Sequence, residues 1–495
     1  MTLRPASTLG ALVLGLLASA SLAAERPWVE VKSPHFTVVG NAGEKSARQL
    51  AWQLEQVRAT FEKVLPWAKL RPGSPLLGVL ARDETTFRSL APGFFGKKDG
   101  DGTTAVFVTG RDRSYIALRG DIRESDDIDV NPYFNVYFGY VHIALNASLE
   151  QRLPLWLMRG LSGVFGNTVV RAKDVLIGPP VPSFFRTLAE RPRLPIRTLI
   201  GADSESPAYS SSEARIVFDA QSWALVHWMI FGNGGQNLAR FSRFMQIYEA
   251  KADQDAALKE AFGGEEAVSS GFSEYLSRKL ISYRKAEVDI DVKLEGFAVR
   301  TLSDGEAKAA RAALHVALRR PEEARALIEE LKKTDPKLPL AFDCEGMLLD
   351  TLEQTDAARA AYERAVELGS TNFYTHYRHG TLAWRPNVTK DQLTRARDAA
   401  RKSVELNPDY PWAQQLLADS ASALDDTAVA VAAARRAVEL QGGEPRMRLS
   451  LARALGKAGE KKEASYEAGR ALTLARDDAA RKSAQEMLDW IGRLR

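Results

Sequence analysis

The chain has 495 residues, too many for a single hydrophobic core, so two or more domains are expected. Apolar residues make up 45% and charged residues 26%, as in ordinary globular proteins; 67 Lys+Arg against 63 Asp+Glu leave a formal charge of +4, too balanced for the basic stripe of a nucleic-acid binder. One cysteine, Cys344, excludes an internal disulfide and any multi-cysteine metal site, and six histidines leave little for a histidine-rich centre, so no cofactor is expected.

Residues 1–24 read as a secretory signal peptide: Arg4 supplies the positive end, Leu9 to Ala18 a short apolar run, and Ala23-Ala24 a small-residue cleavage site. The run is too short to span a bilayer and no later segment is long and apolar enough, so the expected location is exported, periplasmic or extracellular, without a membrane span after cleavage. Strands are expected at Trp28–Lys32 and His35–Val39, broken at Ser33-Pro34. A helix follows from Gly43 to about Leu65, with Leu50, Leu54, Val57, Phe61 and Val64 on one face. Further strands are expected at Leu76–Leu80, Ala105–Val108 and Ser114–Leu118, with a loop over Gly96–Gly102. From Pro132 to about Arg284 the pattern is chiefly helical, with a hairpin near Val175–Ile177. Strands followed by helices predict an α+β domain over 25–287, then a linker over 288–304.

From Gly305 onward alanine rises to about one residue in five and strand-like runs disappear. Small or apolar anchors recur at Ala324/Ile328/Leu331, Ala358/Tyr362/Ala365, Ala396/Ala400/Ser403, Ala430/Ala434/Ala437 and Ala464/Ala468/Ala471. The leading alanines are spaced by 34, 38, 34 and 34 residues. A small residue stands twelve positions before the leading alanine at Ala312, Gly346, Ala418 and Ala452. In the third unit Gly380 stands sixteen before, the turn being lengthened around Arg385–Thr389. Pro336 and Pro408 close their units. This pattern resembles the tetratricopeptide repeat, a helix–turn–helix of 34 residues, and implies five units over 305–477, a capping helix over 478–495, and a curved stack whose inner surface takes a protein or peptide partner. Tyr374, His376 and Tyr377, with His379, cluster on the first helix of the third unit. They would offer aromatic and polar contacts to a peptide if that helix faces inward, and core packing if it does not. Arg311, Arg319, Arg320, Arg325 and Lys332-Lys333 read as a solvated helix face.

A second resemblance spans roughly Trp28 to Arg284 and is clearest from Tyr133 to Gly232. Leu153-Pro-Leu-Trp-Leu-Met-Arg-Gly-Leu-Ser-Gly-Val-Phe165 is similar to the W-L-x-E-G helix of gluzincin metallopeptidases, and Phe218-Asp-Ala-Gln-Ser-Trp-Ala-Leu-Val-His-Trp228 to the following Q-S helix. In the peptidase MA-like branch, export signals and tetratricopeptide repeats commonly accompany this domain. The resemblance implies a zincin-like α+β domain, a small mixed sheet plus helices, ahead of the all-α solenoid. It places the zinc-binding histidines at Phe138 and His142, the glutamate base at Gly139 and the third ligand at Arg159. Three of these four positions are lost, because a phenyl ring, a hydrogen atom and a permanent cation cannot do the work of imidazole, carboxylate and carboxylate. Asn146 is a weak substitute ligand and Glu150 lies too far along the helix. Ser162 and Ser222 have no motif that would mark a nucleophile.

The expectation is therefore a pseudopeptidase with no catalytic residue and no metal, acting through its repeats. The alternatives are a hydrolase with a remodelled cleft and a structural repeat protein of the envelope. His142 is expected to be a buried, hydrogen-bonded ring, Phe138 to fill the vacated volume, and Gly139 to admit the Arg159 head.

Overall fold

The computed structural model describes residues 26–64, 75–92, 104–121, 131–149, 152–171, 174–278, 283–286, 293–384 and 388–494. The leader-like segment, the Gly96–Gly102 loop, Glu150 and the 288–292 stretch lie outside them. The first part of the chain builds β1 (Val29–Lys32), β2 (Thr37–Gly40), α1 (Glu44–Val64), β3 (Leu76–Ala81), α2 (Glu84–Leu90), β4 (Ala105–Thr109) and β5 (Ser114–Arg119). With β9 (Ala298–Thr301) the strands form one six-stranded mixed sheet in the order β4-β5-β3-β2-β1-β9. β2–β3 and β3–β5 are parallel and the remaining pairs antiparallel.

Central strand β3 is a continuous apolar run because both its faces are covered. On one face Leu76 and Leu80 join Val31, Val38, Ile116 and Leu118 against Leu50, Leu54 and Phe61 of α1. On the other, Leu77 and Val79 join Val39, Tyr115 and Phe87. Glu55, buried in α1, pins the β1–β2 turn: its Oε1 accepts from Ser33 Oγ at 2.7 Å and from His35 N at 2.8 Å. The sequence reading missed α2, which Asp83 caps by accepting from Thr86 N at 2.8 Å. It also missed β9, which falls inside the expected linker. Four residues with only Val299 partly buried carry too little alternation to be read, yet they pair with β1 along its whole length.

The helical stretch contains α3 (Phe134–Ser148), α4 (Leu155–Gly166), α5 (Pro182–Glu190), α6 (Ile196–Gly201), α7 (Ser212–Phe231), α8 (Asn237–Lys251), α9 (Gln254–Phe262) and α10 (Glu265–Ser277). The hairpin β6 (Val169–Val170) and β7 (Val175–Ile177) is joined by β8 (Arg284–Ala286) into a small second sheet. From Phe218 onward helix α7 is buried nearly all round, which is why that part of its sequence lacks a polar face. The Gly232–Gly235 segment is a turn, with Gly234 and Gly235 at φ 65° and 89°.

Five helical hairpins follow: α11 (Asp304–Ala317) with α12 (Pro321–Thr334), α13 (Pro339–Thr351) with α14 (Thr355–Glu367), α15 (Phe373–Ala383) with α16 (Lys390–Leu406), α17 (Pro411–Ala423) with α18 (Thr427–Gln441), and α19 (Pro445–Lys457) with α20 (Lys461–Leu474). Helix α21 (Asp478–Arg493) packs on the last. The repeating alanines are buried at the crossings. At Gly346 a side chain would stand 2.5 Å from the Tyr362 ring, so the bulky anchor of this unit is admitted only by a residue without Cβ. The molecule is a mixed α/β domain carrying a tetratricopeptide-like solenoid.

The two parts share a core. Leu302, Ala307 and Leu314, at and within the first repeat helix, are buried in one cluster with Val79, Phe87 and Tyr115 of the front domain. The first repeat thus roofs the sheet face that α1 leaves open.

Candidate binding cleft

Helices α3, α4 and α7 meet where the gluzincin resemblance places its metal. Helices α4 and α7 are in close contact, and at Gly160 a Cβ would stand 2.5 Å from Ser222 O. On α3, Asn135 and Asn146 are exposed while Phe138 and His142 are partly covered, so this stripe borders solvent. Arg159 of α4 crosses to it. Its guanidinium carbon lies 4.6 Å from the Phe138 ring centroid and 5.8 Å from that of Tyr209. Its Nε donates to Asp219 Oδ1 at 2.7 Å and its Nη2 to Oδ2, a two-pronged pair with both side chains less than one-fifth exposed. Arg215 stacks on Tyr209 at 5.0 Å.

The structure brings Phe138, His142 and Arg159 together, and adds Asp219, Tyr209 and Arg215, which sequence reasoning missed. Asp219 stands next to Phe218 of the quoted Q-S helix, but a pairing across 60 residues leaves no periodic signal. Two expectations are corrected. Gly139 does not receive the Arg159 head. It faces Phe107 of β4, whose Cγ and Cβ would stand 2.8 and 2.9 Å from an added Cβ, because the edge strand lies directly across α3. His142 is not hydrogen-bonded through Nδ1, which is buried without a partner. Burial, and secondarily the Arg159 cation, hold its pKa below the ordinary histidine value, so the ring stays neutral.

The residues present do not fit a zinc ion. Phe138 and Gly139 offer no donor, and the Arg159 cation lies against the Phe138 ring. Among the described residues, no set of three His, Cys, Asp or Glu side chains is placed to share a metal. Ser162 and Ser222 are buried, each hydroxyl without a partner and neither beside a histidine base in a hydrogen-bonded pair. A second buried histidine, His227, is structural. Its Nδ1 is 2.7 Å from Tyr275 OH and its Nε2 2.8 Å from Gly178 O, so Nε2–H donates to the carbonyl and Nδ1 accepts from the phenol. Burial pushes its pKa down to about 4, against the pull of the Gly178 carbonyl.

In the solenoid, Tyr374 and His376 are buried, Tyr374 among Tyr362, Tyr377 and Tyr410, and His376 with its Nε2 2.9 Å from Ser370 O. Their role here is packing, one of the two readings the sequence leaves open. Tyr377 and His379 are partly exposed. Of the basic residues of the first repeat, Arg320 pairs with Glu323 and Lys332 with Glu345.

No family model matches this chain, and no curated protein does. Solved structures of repeat proteins are similar to part of it. YrrB, described as a TPR protein with an unusual peptide-binding site, is 18% identical over 37% of this chain and 92% of its own, with a TM-score of 0.32. PilW, a type IV pilus biogenesis factor, is 18% identical over 39% and 88%, with a TM-score of 0.31. A thermophilic TPR protein of Thermus thermophilus is 19% identical over 37% and 98%, with a TM-score of 0.27. These likenesses are loose, and the repeat is defined by the helix crossings and small-residue anchors above.

Proposed function

We propose that this chain is an exported, non-catalytic, peptidase-like protein that acts by holding a protein or peptide partner on its helical-hairpin array. The observation that carries the reading is the Arg159–Asp219 pair stacked on Phe138. It supports the reading because Arg159, at the position the resemblance implies for a metal ligand, is engaged in a two-pronged, mostly buried ion pair, and opening it would leave a charge stranded. Supporting the binding half is the architecture itself, since stacked helical hairpins curve into an extended inner surface.

The purified protein is expected to retain no stoichiometric zinc after incubation with the metal and gel filtration, and to cleave no member of a peptide library. Arg159→Glu, which returns the implied third ligand, is expected to recruit no zinc and to lower the melting temperature, because it faces Asp219 with a like charge. One tightly held zinc per chain in either protein would overturn the reading. A remodelled hydrolase has one observation in its favour, the His142 ring, whose buried Nδ1 has no partner and whose pKa is lowered by burial. Ester or peptide turnover by metal-free protein, abolished in His142→Ala, would establish it.

A further inference from the structure

The turn between β4 and β5 reaches out of the front domain and ends inside the solenoid. Asp112 at its tip is 2% exposed. Two of its hydrogen bonds come from its own hairpin, Arg113 Nε at 2.8 Å and Tyr115 OH at 3.1 Å. The third comes from Asn372 Nδ2 at 3.2 Å, 260 residues further on. Asn372 is the N-cap of α15, and its Oδ1 accepts from Tyr374 N at 2.9 Å. One amide therefore starts a repeat helix with its oxygen and holds the turn's carboxylate with its nitrogen.

The place is distinctive within the array. First helices of successive hairpins approach one another directly, α11 with α13, α15 with α17 and α17 with α19, while the second helices have no comparable approach, so the first helices line the inside of the curve. Helices α13 and α15 pack less extensively than these and are joined by Asp343 Oδ1, which accepts from Thr375 Oγ1. It is at this seam that the turn is seated. Asp343 of α13 faces it, buried, with Oδ1 accepting from Ser370 Oγ at 2.7 Å and Thr375 Oγ1 at 2.6 Å and with Oδ2 unpartnered. Cys344, the chain's one thiol, is buried next to it on α13, its Sγ donating to Ala309 O of α11 at 3.5 Å.

We propose that the β4–β5 turn is an intramolecular occupant of the solenoid's inner face, closing the seam between the second and third hairpins, so that a polypeptide partner reaches this stretch only when the turn is withdrawn. The last clause rests on the array binding polypeptide. The occupancy itself does not, and the experiment reads it without any partner.

Asn372→Asp keeps a good helix cap but opposes Asp112 with a like charge. Asp112→Asn in the same chain exchanges the two groups and restores a carboxylate–amide pair. The reporter is the rate at which a disulfide reagent labels Cys344 in the full-length native protein. Labelling is expected to accelerate about tenfold in Asn372→Asp and to return to within about twofold of the parent rate in the exchanged double variant, the size of a coupling between contacting groups. Unchanged labelling in Asn372→Asp would overturn the occupancy, and so would acceleration that the exchange does not reverse, since that reports general loosening. If Asn372→Asp does not fold, Asp112→Ala, which leaves the cap intact, must accelerate labelling alone, and failure to do so has the same consequence. With occupancy upheld, equal binding of a random peptide library to parent and Asp112→Ala would remove only the partner clause.

Discussion

His227 and Asp343 show how single buried groups set the chain's response to pH. Burial pushes His227 down to about 4, below its unfolded value near 6.5, so its contribution is complete above pH 6.5 and is lost as the pH falls towards 4. Asp343 is pushed up to about 6, first by burial, against the pull of its Thr375 and Ser370 hydrogen bonds. Its folded form binds the proton more tightly than the unfolded form, so its contribution is complete below about 4 and is lost as the pH rises to 6. The two groups act in the same window with opposite signs. Asp343→Asn keeps the Oδ1 acceptor and removes the buried charge, so denaturant unfolding at pH 7.5 should show a gain of about 2–3 kcal/mol that vanishes at pH 4. His227→Leu should cost about 2 kcal/mol at pH 7.5, by stranding Tyr275 OH and Gly178 O, and should flatten the fall in stability between pH 6.5 and 4. Neither behaviour was legible in the sequence, because a lone histidine on an apolar helix and a lone aspartate in a repeat carry no sign of what surrounds them.

At the scale of elements, legibility followed periodicity. Strands β3 and β5 were readable because covered strands are apolar runs, and the repeats because alanine at a fixed spacing is the record of helices crossing closely. Contacts between elements distant in sequence left no such record. Gly139 shows the limit: its presence in a helix announced a close approach, but the identity of the approaching group, Phe107 on an edge strand rather than Arg159, depended on how β4 lies over α3. This yields a sharp expectation. Glycine-to-alanine in a helix ordinarily gains about 1 kcal/mol. Here the added methyl meets the base of the Phe107 side chain, so Gly139→Ala should instead lose about 1–2 kcal/mol, and Phe107→Ala should erase that penalty in the double variant. Chemical unfolding of the four proteins measures it. Additive losses would mean that the strand and helix can part without cost.

For the whole molecule, the sequence suggested a boundary near residue 304, and the shared core crosses it. Because Ala307 and Leu314 cover the sheet face formed by Val79, Phe87 and Tyr115, a chain ending at Ser303 would expose that face to water. Such a truncation is expected to be aggregated or to lack a cooperative melt, whereas one ending at Thr334, which retains the first hairpin, should be soluble and melt cooperatively. Scanning calorimetry and light scattering distinguish the two. Equal behaviour would mean that the first repeat is dispensable to the sheet.

The pairing of β1 with β9 joins residues about 270 positions apart, Val29 opposite Thr301 and Lys32 opposite Ala298. A ribosome completes nearly three hundred residues before the last strand of the sheet exists. Throughout that interval β1 presents an open row of amides and carbonyls on which any extended segment can align. Maturation of the front half is therefore timed by the arrival of a strand made late, and slow translation just before that point prolongs the interval in which the nascent chain can aggregate.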